Sequence, residues 1–255
     1  MTSVLCDLDG VVYRGSNPIL GAPEALERLL DSGVQVFFIT NNSTRTPEAT
    51  AAKITGLTGV DIGADQVLTS SQAAVAMLDE SDGPVLVVGE MGLGEVVGTA
   101  GHRVTSDPME ARSVVVGLTR SLTYQTIADA MQAILNGARF IATNDDTTFP
   151  TEDGLAPGCG AIVAAIAAAA NATPEVAGKP NPAMRDLIRS KVSGDAWIIG
   201  DRLDTDIALA RGEEGWRSVL VLTGISGREE AGDADHVAED LPAAVDLVLG
   251  HLNRS

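Results

Sequence analysis

Short, almost uninterrupted apolar runs alternate along this chain with stretches whose apolar positions recur every three or four residues. Val4–Leu8 reads as a strand, and from Ala22 to Asp31 the residues Ala25, Leu26, Leu29 and Leu30 fall on one helical face. Gly33 stops that helix, and Val34–Ile39 predicts a second strand that runs out into Thr40-Asn41-Asn42-Ser43. Pro47–Leu57 predicts a helix, and Val67-Leu68 with Ala73–Leu78 a further strand and helix. Towards the other end, Ala196–Ile199 is a strand ending at Gly200-Asp201, Ile207–Arg211 opens a helix, and Ser218–Leu222 is a strand ending in Thr223-Gly224. Strands that are apolar throughout are covered on both faces, so the alternation predicts an α/β fold, a doubly wound parallel sheet with a Rossmann-like core.

The middle of the chain has its own strands, Val85–Val88, Ser113–Val116 and Phe140–Ala142, and its own helices near Thr123–Leu135 and Cys159–Ala170. The polar, Gly- and Pro-containing stretch Asp79–Pro84 precedes them, and Thr173-Pro174 to Gly178 follows. These punctuations predict a smaller α/β domain at 80–176 inserted into a discontinuous core formed by 1–79 and 177–255.

Charge narrows the partners. The chain carries 35 acids against 17 bases, a formal charge of −18, with Lys53, Lys179 and Lys191 its only lysines. Such a surface repels nucleic acid and anionic membranes. The longest apolar run, Ala161 to Ala170, is about half a membrane span. Met1-Thr2-Ser3 leads straight into the first strand without a basic, signal-like segment, and Cys6 and Cys159 have neither metal nor redox spacing. The expectation is a soluble, reduced, cytoplasmic protein with Cys6 a buried strand residue. His102, His236 and His251 carry no catalytic motif and are expected at the surface.

The chemistry gathers at the strand ends. Asp7-Leu8-Asp9-Gly10 follows the first strand, Thr40-Asn41 the second, and Asp201 with Asp204 and Asp206 a later one, while Lys179 stands just before a helix. In a doubly wound sheet the carboxyl ends of the strands share one edge, where ligands bind. Four or five carboxylates, a hydroxyl and one ammonium would therefore meet around one crevice. Such a cluster repels itself unless a hard cation joins it, and oxygen donors of this kind suit Mg²⁺.

In order and spacing, Asp7-Leu8-Asp9-Gly10-Val11, Thr40, Lys179 and Gly200-Asp201 to Asp206 resemble the motifs of the haloacid dehalogenase-like phosphohydrolases. Flanking residues resemble the NagD-like, para-nitrophenylphosphatase branch with a large cap: Thr40-Asn41-Asn42-Ser43, Ala142-Thr143-Asn144 before Pro150-Thr151-Glu152-Asp153-Gly154, Gly178-Lys179-Pro180, and Gly200-Asp201-Arg202-Leu203-Asp204-Thr205-Asp206-Ile207. The resemblance spans residues 4 to about 224. It implies a Mg²⁺-dependent phosphomonoesterase in which Asp7 attacks phosphorus and Asp9 protonates the leaving alcohol and then activates water. It further implies that Thr40, Asn41, Asn42 and Lys179 bind the phosphoryl group. Asp7, the Asp9 carbonyl and Asp201 would hold the metal, and Asp206 would order a metal-bound water. Asn144 and Asp146 would meet the substrate from the cap, although Asp145-Asp146 departs from the single acid usual there.

A cap over the crevice admits small phosphorylated metabolites. Glycerol 3-phosphate or another small polyol or sugar phosphate leads the expectation, with nucleoside monophosphates, phosphoglycolate and pyridoxal phosphate as alternatives. The acidic cap loop with few bases nearby favours a neutral, polyol-like leaving group. Some members of the family dimerise through the cap, and both a monomer and a homodimer remain open. A nicotinamide-binding Rossmann protein is the rival of a different class, resting on Gly92-Leu93-Gly94-Glu95-Val96-Val97-Gly98, a GxGxxxG spacing where GxGxxG is required. A phospho-accepting signalling module would use the same residue types but would not need so large an insertion.

Overall fold

The computed structural model describes residues 2–151 and 154–253, so Glu152 and Asp153 of the Pro150–Gly154 stretch lie outside the described residues. Two parallel sheets organise the chain. The larger has six strands in the order His236–Ala238, Trp216–Val221, Ala196–Gly200, Ser3–Asp7, Gln35–Thr40, Val67–Thr69, every neighbouring pair parallel. The second has five, in the order Glu175–Val176, Arg139–Ala142, Ser113–Val116, Val85–Val88, Val104–Thr105, again all parallel. The chain thus lays down part of the larger sheet, builds the smaller one without interruption, and returns to finish the first. That is a Rossmann-like α/β core with an inserted α/β layer.

Successive side chains of a strand point to opposite faces, and the two apolar clusters of the larger sheet follow that alternation. Val4, Cys6, Trp197 and Ile199 pack on one face with Leu26, Leu29, Ile54, Val245 and Val248. Leu5, Ile39 and Ile198 pack on the other with Met184, Ile188 and Leu209. This second cluster also contains Val85, Leu93, Val115 and Ile141, so the apolar interior continues from the larger sheet into the smaller. Cys6 is a free, buried strand residue whose thiol is pushed up chiefly by burial, as a structural cysteine should be.

Two local expectations shift for identifiable reasons. The helix expected at Ala73–Leu78 forms earlier, at Ser70–Val75, because Thr69 caps it: the Gln72 amide N–H donates to Thr69 Oγ1 at 3.3 Å, and the Thr69 N–H donates to Gln72 Oε1 at 2.8 Å. The helix expected from Ile207 begins as a wide π-type turn over Leu203–Ile207 and continues only through Ala208–Ala210. Asp206 Oδ2 accepts from the Asp201 and Arg202 amides, each at 3.2 Å, and the turn is widened as its side chain folds back. His236 and His251 are not free surface rings: His236 stacks on Trp197 and His251 packs tilted against it, with centroids 5.4 and 5.1 Å away, and both are half-buried.

The two crossings between the sheets are clasped by one side chain. Arg139 donates from Nη1 to the Met77 carbonyl at 2.9 Å and to buried Asp82 at 2.6 Å. Its Nε and Nη2 grip Glu175 at 3.1 and 2.9 Å. Asp82 lies on the outgoing crossing and Glu175 in the edge strand just before the returning one. Arg139→Met leaves the Asp82 carboxylate buried without its partner, and we expect a loss of about 2–3 kcal/mol of stability, measured as a lower urea midpoint at unchanged slope. A midpoint equal to wild type would show that the clasp contributes nothing.

Candidate active site

The central strand Ser3–Asp7 is bonded on both sides, by Gln35–Thr40 and Ala196–Gly200, so the carboxyl ends of three adjacent strands bring Asp7, Thr40 and Asp201 to one edge. Gly10 is required where the chain leaves that edge. Its φ is +93°, and a Cβ there would stand 2.6 Å from Asp201 Oδ2. The glycine after the two acids therefore lets the first motif turn against the last.

Lys179 is the electrostatic centre. Its ammonium is buried and donates to Asp7 Oδ1, to Asp206 Oδ1 at 2.6 Å and to the Ile39 carbonyl at 3.4 Å. Burial opposes its charge, yet the Asp206 and Asp7 carboxylates hold its pKa above the ordinary lysine range. Asp7, Asp201 and Asp206 offer carboxylate oxygens that all lie within 4.8 Å of one another, each buried. Burial pushes Asp7 well up despite Lys179, and burial together with the Asp206 charge brings Asp201 to about 7. Three buried acids sharing one ammonium leave negative charge uncompensated. Hard oxygen donors at that spacing fit a divalent cation such as Mg²⁺.

The other sequence-selected residues converge on the same cleft, which has a volume of about 970 Å³ and is lined by Asp7, Asp9, Thr40, Asn41, Asn42, Asn144, Asp146, Lys179, Asp201 and Asp206 among others. The Asp9 carboxyl is raised by burial and held back by the Lys53, Lys179 and Arg45 charges and by the neighbouring Asn42 side chain. Asn42 Oδ1 accepts from Thr44 N and Oγ1 at 3.0 and 2.7 Å. Asn41 is committed at every side-chain atom: Oδ1 accepts from Lys179 N at 2.8 Å, and Nδ2 donates to the Lys179 carbonyl at 3.3 Å and to Asp146 Oδ2 at 3.2 Å. Its carbonyl accepts from Asn144 Nδ2 at 2.7 Å and from Ser70 Oγ at 2.7 Å. Asn144 and Asp146 thus reach the site through Asn41.

Some cleft residues were given no role by the motifs. Arg202 braces its own loop by gripping Asp204 through Nε and Nη2 at 3.2 and 3.0 Å, and it also approaches Asp146 at 4.0 Å and the Thr148 carbonyl at 3.5 Å. Arg45, Lys53 and Arg120 line the same cleft, so the scarcity of bases expected near the substrate loop does not hold. A signal for Lys53 was present: Ala49, Lys53 and Leu57 recur every four residues and form one helical face. The Gly92–Gly98 pattern has a packing explanation. A Cβ on Gly92 would lie 2.6 Å from the Arg45 Cα and the Thr44 carbonyl oxygen, so the glycine admits the helix Met91–Thr99 against that loop.

Residues 4–103 match the model of a haloacid dehalogenase-like hydrolase, and residues 176–244 match a second, HAD-hydrolase-like model. The chain belongs to the haloacid dehalogenase-like hydrolases. Within this family it is 39% identical over 233 residues to a dihydroxyacetone phosphatase of Corynebacterium glutamicum, covering 89% of this chain and 83% of that one. The p-nitrophenyl phosphatase structure from Archaeoglobus fulgidus superposes with a TM-score of 0.87 at 30% identity, covering 96% and 98%. The glycerol phosphate phosphatase of Mycobacterium tuberculosis in complex with magnesium superposes with a TM-score of 0.85 at 35% identity, covering 94% and 75%. The motifs and these relatives make this haloacid dehalogenase-like hydrolase a phosphoric monoester hydrolase of the NagD-like branch.

Proposed function

We propose that the chain is a Mg²⁺-dependent phosphatase of small polyol or sugar phosphates that works through an aspartyl-phosphate. The observation that carries the reading is the Lys179 ammonium set between Asp7 and Asp206, beside Asp201, at the carboxyl ends of adjacent parallel strands. The glycerol phosphate and dihydroxyacetone phosphatases among its relatives support the substrate class.

A carboxylate about 3.3 Å from a phosphate dianion is repelled by roughly 10 kcal/mol at an effective dielectric near 20. Mg²⁺ held by Asp7, Asp201 and the Asp9 carbonyl, with a water ordered by Asp206, would supply positive charge against that repulsion. In our reading Asp7 attacks phosphorus while Lys179, Thr40 and the Asn41 and Asn42 region hold the phosphoryl oxygens. Asp9, whose carboxyl is raised by burial, gives its proton to the leaving oxygen. The same carboxylate then takes a proton from the water that hydrolyses the aspartyl-phosphate. Residues 80–176 act as the cap over a core of 1–79 and 177–255, with Asn144 and Asp146 facing the substrate. No helix among the described residues is long and apolar enough to cross a membrane. The reading extends to a cytoplasmic enzyme, monomeric or homodimeric, that binds neither nucleic acid nor membrane.

Phosphate release from a panel of phosphorylated metabolites tests this reading. Glycerol 3-phosphate and related polyol phosphates should be hydrolysed, and EDTA should remove at least about 99% of the activity, with recovery on adding Mg²⁺. Full activity in EDTA would sink the proposal.

A further inference from the structure

The cleft is larger than a phosphoryl group and three carbons require, since small-molecule sites of roughly 300–1,000 Å³ hold much bigger ligands. Away from the acids it runs beside the helix Pro47–Thr58, whose Ala49, Lys53 and Leu57 face it, with Arg45 just before the helix cap. The Lys53 ammonium lies 3.5 Å from the centroid of the buried Tyr13 ring, and Tyr13 is bridged to Asp9 through the backbone. Lys53 therefore stands on the side of the site where Asp9 meets the leaving oxygen. Neither Lys53 nor Arg45 has a carboxylate within 4.0 Å among the described residues, in a chain with twice as many acids as bases. Both charges nevertheless act on Asp9, so both are within electrostatic reach of the reacting groups.

The helix Met91–Thr99, packed against the Thr44–Arg45 backbone, brings two acids to the same cleft: Glu90, whose Oε1 accepts from the Arg120 amide at 2.8 Å, and the exposed Glu95. Neither acid pairs with Lys53 or Arg45 within 4.0 Å among the described residues. We propose that Lys53 and Arg45 form an anion-recognising subsite for the leaving alcohol, which selects, among small polyol phosphates, those bearing a carboxylate. The proposal rests on the phosphatase reading above and narrows it to phosphorylated sugar acids and hydroxy acids. Their carboxylate would meet the Lys53 ammonium and the Arg45 guanidinium while the phosphoryl group lies against Lys179. A charge-assisted contact of this kind is worth more than a neutral one and weakens with salt.

The test compares 3-phosphoglycerate with glycerol 3-phosphate, which differ by a carboxylate in place of a hydroxymethyl group. We expect the wild-type ratio of kcat/KM, acid over polyol, to exceed about 10, and to fall at least about tenfold in Lys53→Met, mainly through the KM of the acid. Lys53→Arg, which keeps the charge, should restore most of the ratio, and raising KCl from 0.05 to 0.5 M should lower it in wild type. A wild-type ratio near or below 1, or one unchanged in both Lys53→Met and Arg45→Met, overturns the subsite. If the wild type releases no phosphate from either ester nor from p-nitrophenyl phosphate, the phosphatase reading itself fails, and the subsite with it. A Lys53→Met protein that does not fold shifts the decision to Arg45→Met and the salt series.

Discussion

Asp7→Asn is expected to lower kcat by at least about 10⁴-fold, because an amide oxygen is a poor nucleophile towards phosphorus and no aspartyl-phosphate can form on it. The substitution keeps shape and one acceptor oxygen, so it separates chemistry from folding. Asp7 is buried with its pKa raised, which means that the folded state resists its ionisation. Sign follows from that direction: above the unfolded carboxyl range the ionised group costs stability, and a neutral amide removes that cost. The metal-free variant should therefore melt no lower than wild type at neutral pH while phosphate release disappears. Turnover within tenfold of wild type would remove Asp7 from the mechanism. An equal loss of activity and thermal stability would make its role structural.

Lys179→Met is the second large effect, and it acts on stability and rate together. The ammonium is the side-chain cation in contact with both Asp7 and Asp206, and it is buried. Without it those carboxylates and Asp201 repel one another in a low-dielectric setting, and breaking a buried pair costs about 3–5 kcal/mol. Saturating Mg²⁺ should return roughly 3 kcal/mol of that at a hundredfold excess over its dissociation constant. Urea midpoints of wild type and variant, each with and without Mg²⁺, check this. The gap between the proteins should be widest without the ion. Activity should fall by about 10³-fold even with Mg²⁺, since one preorganised charge at the phosphoryl group is lost. Midpoints that differ equally with and without Mg²⁺ would mean that ion and ammonium do not share a site.

Most of the framework was legible because it rests on strands buried on both faces and on residues at strand ends. Val4, Leu5 and Cys6 announce a strand covered on both faces, and Asp7, Thr40 and Asp201 follow runs of that kind. What pattern reading missed was set by side chains acting on backbone. Thr69 and Gln72 pulled a helix start forward, and a capping-box spacing was there to be read. Asp206 widened a turn that apolar periodicity alone takes for ordinary helix. The histidines were misjudged because a ring's burial depends on Trp197, distant in sequence from His236 and His251. The pattern also did not show that the Asn41 side chain is spent on Lys179 and Asp146. No spacing rule reveals which of several polar atoms a side chain will satisfy first.

The central position of Ser3–Asp7 has a consequence for redesign. An atom at the tip of a strand bonded on both flanks is held by two ladders of backbone hydrogen bonds. Lys53 projects from a helix and Asp146 from a loop, both outside that strand. Selectivity can therefore be rewritten on the helix and the loop while the attacking oxygen stays where it is, which makes this chain a scaffold whose chemistry and choice of alcohol are separately adjustable.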